Sequence, residues 1–400
     1  MFNSLTRRKD AFSPSLNQQV NMFVCGPTVY DYVHLGHART YLSFDTIVRY
    51  LKFSGYRVHY LMNITDVAER IVQRAEQLKR DPFDLAREFE AAFLDDIRSL
   101  GVTEIDRFER ASEAIPKMIE QVGGLINRGA GYETETGVYF EVDKYPKFGQ
   151  LSGISREELA LRRLELCSSK RNPEDFSIWR KYDKGLAWDS PWGRGRPGWH
   201  IEDTAISMAQ FGDTYDVHGG AIELVFPHHE AEIAQAETLT GKAPFVRYWL
   251  HTGLLNVGGR KMSKSLGNMI RIRDALKDYT PPELRFYFET VHYREPMTYS
   301  QTGLEKARHR LKELRNNLNT FSEEQPAPNA YERKDLRKFI RYESAFERHM
   351  NDDFNAPGAL RVLEEFAEEL AKGGRSLDQQ SKTDLDARFR RMANVLGVLS

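Results

Sequence analysis

Two histidines three residues apart, His34 and His37, are the first residues in the chain whose types and spacing suggest chemistry. They lie in the stretch Val24–Asp45, for which we predict a strand ending at Cys25, a Gly-Pro turn and a helix that opens on His-Leu-Gly-His. A helix N-terminus presents unpaired N–H groups and partial positive charge, so it favours phosphate. Gly36 lets a ligand approach the backbone. The two imidazoles are therefore placed to stabilise charge on a phosphoryl group, although the same four residues are also typical of a polar helix start.

Two lysines with the same spacing, Lys261 and Lys264, lie in a segment rich in Gly and Ser, Arg260–Asn268. Each ammonium group is a compact positive charge on a flexible stem. We therefore predict a mobile cationic clamp that grips the polyphosphate leaving group of a nucleotide.

A third group of residues suggests a metal site. Pro227 is favourable at a helix start, which puts His228 and Glu232 four residues apart on one helical face. Together with Cys25 they offer N, O and S donors, which are the ligand types that zinc accepts. Taken alone, the His–Glu pair is also typical of an exposed helix.

The bulk composition excludes several classes of protein. A chain of 400 residues with 40% hydrophobic and 29% charged residues predicts a globular protein of two to four domains. Two cysteines exclude a disulfide framework, and the sequence has neither a long apolar run nor a signal-peptide core. We expect a cytoplasmic protein with no membrane association. The net charge of −1 excludes a globally basic nucleic-acid binder but not a local basic surface.

The order of predicted elements indicates the fold class. Strand, helix and strand over residues 18–65 predict a parallel crossover, the first half of a doubly wound, Rossmann-like α/β domain. We predict five segments: the first half of this domain (1–110), an inserted connective domain (111–197), its second half (198–255), a stem-contact region with the lysine segment (256–315), and an α-helical bundle (316–400). The bundle begins with basic helices, which are either solvated faces or contacts to the phosphates of a nucleic acid.

Six further patterns carry a resemblance to a known family. They are C-G-P-T-V-Y-D with H-L-G-H, Asn63–Asp66, Lys170–Trp179, Ser190–Glu202, His218–Glu232 and K-M-S-K-S-L-G-N, and N-D-D-F-N-A-P at Asn351–Pro357 extends them into the helical tail. Together they resemble the cysteinyl-tRNA synthetases, which are class I aminoacyl-tRNA synthetases.

The resemblance implies ATP-dependent amino-acid activation followed by transfer to tRNA. It implies that His34, His37, Lys261 and Lys264 are catalytic. It implies an ATP site at Gly36, Gly219, Gly220, Glu223 and the two lysines, an amino-acid pocket at Thr65 and Trp199, and metal ligands at Cys25, Asp203, His228 and Glu232. The implied cofactors are one Zn²⁺ and ATP with Mg²⁺. The implied partners are cysteine and its tRNA, and we expect a monomer rather than a dimer.

Three departures from the family leave alternatives open. The family's second zinc-binding cysteine is Asp203 here, a harder ligand for zinc. The enzyme therefore either binds cysteine through an altered zinc, or has changed its amino acid, or has a decayed site. Glu223 replaces the acidic residue expected at the ribose, and the chain ends at Ser400, without the family's small C-terminal domain. Alternative functions are a ligase that joins the amino acid to a small amine, and a non-catalytic tRNA-binding paralogue.

Overall fold

A computed structural model describes residues 1–161, 167–262, 267–323, 336–374 and 377–399 of the chain. The strands are β1 (Phe2–Asn3), β2 (Arg8–Lys9), β3 (Gln19–Val24), β4 (Arg57–Ile64), β5 (Arg107–Arg110), β6 (Gly131–Glu133), β7 (Gly137–Phe140), β8 (Phe176–Lys181), β9 (Gly195–Pro197), β10 (Tyr215–Ala221), β11 (Val246–Thr252), β12 (Leu255–Val257), β13 (Arg260–Lys261) and β14 (Met297–Tyr299). The helices are α1 (Leu35–Phe53), α2 (Glu69–Leu78), α3 (Pro82–Ser99), α4 (Ile115–Asn127), α5 (Arg156–Leu161), α6 (Trp199–Phe211), α7 (Glu230–Thr240), α8 (Ile272–Asp278), α9 (Pro281–Glu289), α10 (Gln301–Glu323), α11 (Leu336–Asn351), α12 (Ala356–Gly373) and α13 (Gln379–Leu396). No helix within these described ranges is both long and apolar enough to cross a lipid bilayer.

The central sheet has five strands, all parallel, in the order β11-β10-β3-β4-β5. The chain builds β3, β4 and β5 in one direction and later returns to the other side of β3 with β10 and β11. The strand order therefore reverses between β3 and β10, and ligands in open α/β sheets bind in the crevice at such a point. This arrangement confirms the predicted doubly wound α/β fold.

Helix α1 covers this sheet and begins at the crevice. His34 is its N-cap residue, and the helix ends at Ser54, followed by Gly55 with φ +91°. Its buried face, including Phe44 and Ile47, packs in the same apolar core as the buried side chains of β3 and β4. The start of this helix is where the sequence predicts it.

A second sheet lies between β5 and β10 in the sequence. It is antiparallel, in the order β6-β7-β8-β9, and shares an apolar core with α4 and α6. The same core contains Phe23 and Cys25 from the central sheet. The second sheet therefore packs directly beside the end of β3.

The C-terminal helices share the apolar core of α1 and the central sheet, and buried polar groups join them as well. Asp353 accepts hydrogen bonds from the backbone N–H of Phe2 at 2.6 Å, from the hydroxyl of Tyr293 at 3.0 Å and from Nε of Arg294 at 2.6 Å. One carboxylate thus connects the N-terminal hairpin, the segment after α9 and the turn between α11 and α12.

One predicted helix start is wrong. We expected a helix from Pro227, but Val225–His229 forms a π-helical turn with an extended Phe226 (φ −134°, ψ 131°), and α7 begins at Glu230. A residue that precedes proline is disfavoured in the α region, which explains the extended Phe226. His228 therefore lies in the turn before α7, whereas Glu232 lies within the helix.

Candidate active site

The crevice between β3 and β10 opens into a cavity of about 730 Å³. That volume is in the range of small-molecule sites. Nine of the residues predicted as site residues line it: Cys25, His34, Gly36, His37, Thr65, Trp199, Asp203, Glu223 and His228. The structure thus brings most of the predicted residues to one cavity.

His34 and His37 lie at the mouth of this cavity, at the first turn of α1. Nδ1 of His34 accepts from the backbone N–H of Gly36 at 3.1 Å, and Nδ1 of His37 accepts from the backbone N–H of His34 at 3.3 Å. The two ring centroids are 4.1 Å apart. Because both Nδ1 atoms accept, the proton of each neutral ring is on Nε2, which can donate to a phosphate oxygen.

The segment that follows the lysine clamp is hydrogen-bonded to this helix start. Leu35 N–H donates to the carbonyl of Ile270 at 2.9 Å, and Ile272 N–H donates to the carbonyl of Val33 at 3.2 Å. Of the two predicted clamp residues, Lys264 lies outside the described residues, and Lys261 is described only by its backbone, which pairs with Asn256. The backbone that follows the clamp is therefore held beside the histidine pair.

Arg39 is a site residue that the sequence analysis missed. It is 1% exposed, and its guanidinium donates to the carbonyls of Gly253 and Leu254 at 2.8 Å each and to that of His292 at 3.2 Å, with a further short contact to the carbonyl of Glu295. It thus connects the first turns of α1 to the backbone that leads into β12. Its acceptors are remote backbone carbonyls, which leave no signal in a sequence.

At the base of the cavity, four predicted donors converge. Cys25 Sγ lies 3.1 Å from Asp203 Oδ2, which lies 3.1 Å from His228 Nε2, and Glu232 Oε1 lies 3.2 Å from the same nitrogen. The four donor atoms are all within 4.8 Å of one another. Asn63 Nδ2 donates to the other oxygen of Asp203 at 2.7 Å. We call Cys25, Asp203, His228 and Glu232 the outer set.

Two histidines that the sequence analysis did not assign form a second set with the same cysteine and glutamate. His218 Nε2 and His229 Nε2 lie 3.3 Å and 3.1 Å from Cys25 Sγ, and the donor atoms of Cys25, His218, His229 and Glu232 are again within 4.8 Å of one another. We call these four residues the inner set. The signal available was the histidine-rich composition of residues 200–251, which core histidines would also produce.

The donor chemistry of both sets fits a divalent metal ion. Burial raises the pKa of the Cys25 thiol, and Asp203 raises it further; burial also raises the pKa of Glu232. Burial lowers the pKa of His218 and of His229. Neither carboxylate oxygen of Glu232 accepts a hydrogen bond within the described residues, although both are buried. A cation at this point would stabilise the thiolate and the carboxylate and take up the unused oxygens.

The predicted amino-acid pocket lies above these donors. The indole of Trp199 stacks on the imidazole of His228, with centroids 4.2 Å apart and planes 12° apart. Thr65 is buried, and its hydroxyl accepts from Asn63 Nδ2 at 3.3 Å. The Gly-Pro turn after β3 packs against this segment and needs Gly26, because a Cβ there would lie 1.7 Å from the carbonyl oxygen of Asn63.

The predicted ATP residues fall into two groups. Gly36 and the exposed Glu223 line the cavity, but Gly219 and Gly220 are not among the described residues that line it. A Cβ at Gly219 would meet the ring of Phe44 at 2.3 Å. The close packing of α1 on β10 therefore accounts for this glycine without a nucleotide.

Comparisons with known proteins agree with this geometry. The family described as "tRNA synthetases class I (C) catalytic domain" matches residues 11–309, and the family described as "DALR domain" matches residues 345–400. A solved structure of methionyl-tRNA synthetase from Mycobacterium tuberculosis in complex with methionyl-adenylate has the same fold, with a TM-score of 0.69 and 16% identity over 95% of this chain and 90% of that chain. The fold and the catalytic-domain match define a class I aminoacyl-tRNA synthetase.

Two relatives identify the family within the class I aminoacyl-tRNA synthetases. A cysteine–tRNA ligase of Thermococcus onnurineus (strain NA1) is 45% identical over 91% of this chain and 78% of that protein. A cysteine–tRNA ligase of Geobacillus sp. (strain WCH70) is 44% identical over 92% of this chain and 80% of that protein. The chain belongs to the cysteine–tRNA ligase family.

Proposed function

We propose that this chain activates cysteine with ATP and transfers it to the 3′ end of tRNA-Cys. The observation that carries the proposal is the pair of backbone hydrogen bonds between residues 33–35 and 270–272 at the mouth of a cavity whose base is a cluster of metal donors. An ATP bound there lies between the two motifs, and an amino acid lies between the ATP and the donors.

In the first step, a carboxylate oxygen of the amino acid attacks the α-phosphorus of ATP, and the bond to the pyrophosphate oxygen breaks. Nε2–H of His34 and of His37 donates to the oxygens that gain charge, and Lys261 and Lys264 hold the departing pyrophosphate. The protein forms no covalent bond to the substrate in this step. Hydrogen-bond donors that are already in position for the developing charge are therefore the main source of catalysis. Gly36 leaves room for the phosphates.

In the second step, a terminal hydroxyl of the tRNA attacks the carbonyl carbon of the adenylate, and AMP leaves with the bonding electrons. Glu223 holds the ribose, and Thr65 and Trp199 bound the amino-acid side chain. A single-stranded 3′ end can enter a cavity that opens to solvent. Magnesium accompanies ATP.

Zinc at the base of the pocket is part of the same proposal. Cys25, Asp203, His228 and Glu232 would hold it where it contacts the substrate side chain. A bound zinc supplies a soft Lewis acid that prefers a thiol to a hydroxyl. Cys25, Asp203 and His228 line the cavity, so a substrate side chain at the base of the pocket would reach an ion held by these residues. We also propose that the enzyme is a cytoplasmic monomer.

The test is ATP–pyrophosphate exchange with each of the twenty amino acids, with and without a chelator, followed by aminoacylation of total tRNA. Exchange confined to cysteine and abolished by chelation, with charging of tRNA, supports the proposal. Exchange without charging would indicate a small-amine acceptor, and an absence of exchange would indicate a non-catalytic tRNA-binding protein.

A further inference from the structure

Arg70 is a cation at the cavity to which neither the activation step nor the metal donors give a role. It lies in the first turn of α2, lines the cavity and is exposed. Nearby arginines are paired, Arg80 with Glu88 and Arg87 with Glu90, whereas Arg70 forms no ion pair with any carboxylate in the described part of the chain. Its guanidinium is therefore available to an anion from outside the protein.

Backbone and ring contacts tie Arg70 to the wall of the cavity that carries the predicted amino-acid pocket. The N–H of Val29 donates to the carbonyl of Thr65 at 3.2 Å, and the N–H of Thr65 donates to the carbonyl of Pro27 at 3.1 Å. These bonds hold Tyr30 beside the start of α2. The guanidinium carbon of Arg70 lies over the Tyr30 ring, 5.9 Å from its centroid, which is within the range of a cation–π contact. Tyr30 itself lines the cavity.

The exposure of Arg70 places it at the rim of the cavity. Thr65 and Cys25 also line the cavity but are only 3% and 7% exposed, so they lie deeper. An amino acid that reaches the base is enclosed by such buried residues, and its carboxylate must face the α-phosphorus beside His34 and His37. The triphosphate belongs to the same histidine pair and to the lysine clamp. The anion that meets Arg70 is therefore neither the amino-acid carboxylate nor the triphosphate.

The remaining anion of the proposed reaction is the phosphodiester backbone of the tRNA. Its terminal hydroxyl must reach the carbonyl carbon of the adenylate, so the last nucleotides have to cross the rim of the cavity. Proteins bind single-stranded RNA with basic groups that contact the phosphates and with aromatic rings that stack on the bases. Arg70 over Tyr30 offers both, and the planar guanidinium can donate two hydrogen bonds to one phosphate.

We infer that Arg70 binds the backbone phosphates of the last nucleotides of the tRNA and so positions the terminal hydroxyl for the transfer step, with Tyr30 orienting the guanidinium. The inference rests on the proposed function in taking tRNA as the acceptor. Since Arg70 contacts the acceptor strand and not ATP, loss of its charge should affect transfer more than activation.

Two rates measured on an Arg70→Gln variant test this difference. Transfer is followed in a single turnover, by mixing enzyme that carries cysteinyl-adenylate with tRNA-Cys, and activation is followed by ATP–pyrophosphate exchange. We expect the fall in transfer to exceed the fall in exchange by roughly tenfold, because a displaced acceptor hydroxyl reacts slowly. Arg70→Lys retains the positive charge and should recover most of the lost transfer rate. Equal falls in the two rates, or an unchanged transfer rate, would overturn the inference.

Binding of a shortened tRNA shows whether the contact is to the 3′ end. Arg70→Gln should weaken binding of full-length tRNA-Cys, and the slope of log affinity against log salt concentration should become shallower by about 0.7, the value for one phosphate of a single strand. With tRNA-Cys that lacks its last three nucleotides, the parent and the variant should bind equally. A difference that persists with the shortened tRNA would place Arg70 on another part of the tRNA and contradict the inference.

Lys79→Asn is the matched control. Lys79 is exposed at the C-terminal end of the same helix and is not among the described residues that line the cavity. Asparagine tolerates its positive φ of 53°, so the substitution removes one positive charge with little change of conformation. This variant should transfer as the parent does. A loss of transfer comparable to that of Arg70→Gln would assign the effect to net charge and refute a specific contact.

The two proposals fail separately. Cysteine-dependent exchange and charging of tRNA, with an Arg70→Gln variant that transfers as fast as the parent, would retain the ligase and reject the role of Arg70. A parent chain without cysteine-dependent exchange, in which Arg70→Gln weakens tRNA binding only when the last three nucleotides are present, would retain the contact and reject the ligase.

Discussion

The guanidinium of Arg39 donates to the carbonyl oxygen of Gly253 at 2.8 Å, which joins the first turns of α1 to the end of the central sheet. Leu254, His292 and Glu295 supply the other acceptors. One fully buried side chain therefore positions the helix that carries His34 and His37 against the backbone that leads to the lysine clamp.

Arg39→Lys should lower the rate of ATP–pyrophosphate exchange by roughly a hundredfold, because a single ammonium cannot reach all four carbonyls and small misplacements of catalytic groups are costly. We expect kcat to fall more than the KM for cysteine rises, since the metal donors are untouched. Arg57→Lys, at an exposed position on β4, is the matched control. An unchanged kcat in a folded Arg39→Lys variant would refute the positioning role.

A substitution at His34 can separate its role as the N-cap of α1 from its proposed role as a hydrogen-bond donor to the phosphate. Asparagine is a good N-cap residue, so His34→Asn should retain the start of α1 while removing the Nε2 donor. We expect the exchange rate to fall by roughly a hundredfold, the usual effect of removing one donor to a developing charge. Thermal unfolding should stay within a few degrees of the parent chain. The exposed His309→Asn on α10 serves as the control, and a comparable loss of rate in that variant would argue against a specific role.

The sequence predicted the parallel sheet and the start of α1, because these depend on local patterns and on short-range caps. It also selected four donors that the structure brings together. It missed His218 and His229 as possible donors. The place of His218 depends on sheet register: Gly219 pairs with Val24, which brings His218 beside the end of β3. Arg39 was missed for the same reason, because tertiary contacts alone decide that a basic residue on a helix is buried.

The residue at position 203 should control the affinity for the metal. Asp203→Cys adds a second thiolate to the outer set, and a soft sulfur ligand favours zinc there. We expect zinc affinity to rise by at least roughly tenfold, and the X-ray absorption spectrum at the zinc edge to gain a second sulfur. Asp203→Asn is the control, because it removes the carboxylate without adding a sulfur, and it should not raise the affinity. A parent-like spectrum for Asp203→Cys would show that residue 203 does not reach the ion.

Glu289 gives the fold a pH dependence that can be measured. Burial raises its pKa to about 7, while Thr46 donates to it at 2.5 Å. A carboxyl whose pKa is higher in the folded than in the unfolded protein contributes stability at low pH, and this is lost as the pH rises through about 7. Glu289→Gln should therefore stabilise the protein at pH 8 by up to roughly 3 kcal/mol relative to the parent and have little effect at pH 4.5. Urea unfolding between pH 4.5 and 8 measures the difference, and parallel curves for the two proteins would contradict the expectation.

Asp353 should contribute to the docking of the helical tail. Its backbone has a positive φ of 62°, which asparagine tolerates, so Asp353→Asn changes the charge with little change of conformation. The substitution leaves the buried Arg294 contact without a carboxylate and weakens the bond from the N–H of Phe2, and we expect a loss of roughly 2–4 kcal/mol. Asp352→Asn is the matched control, because that neighbouring carboxylate is 58% exposed and forms a surface ion pair with Lys9. Thermal unfolding of the two variants, followed together with aminoacylation, tests the docking role. If Asp353→Asn unfolds at the same temperature as Asp352→Asn, the carboxylate does not hold the helical tail in place.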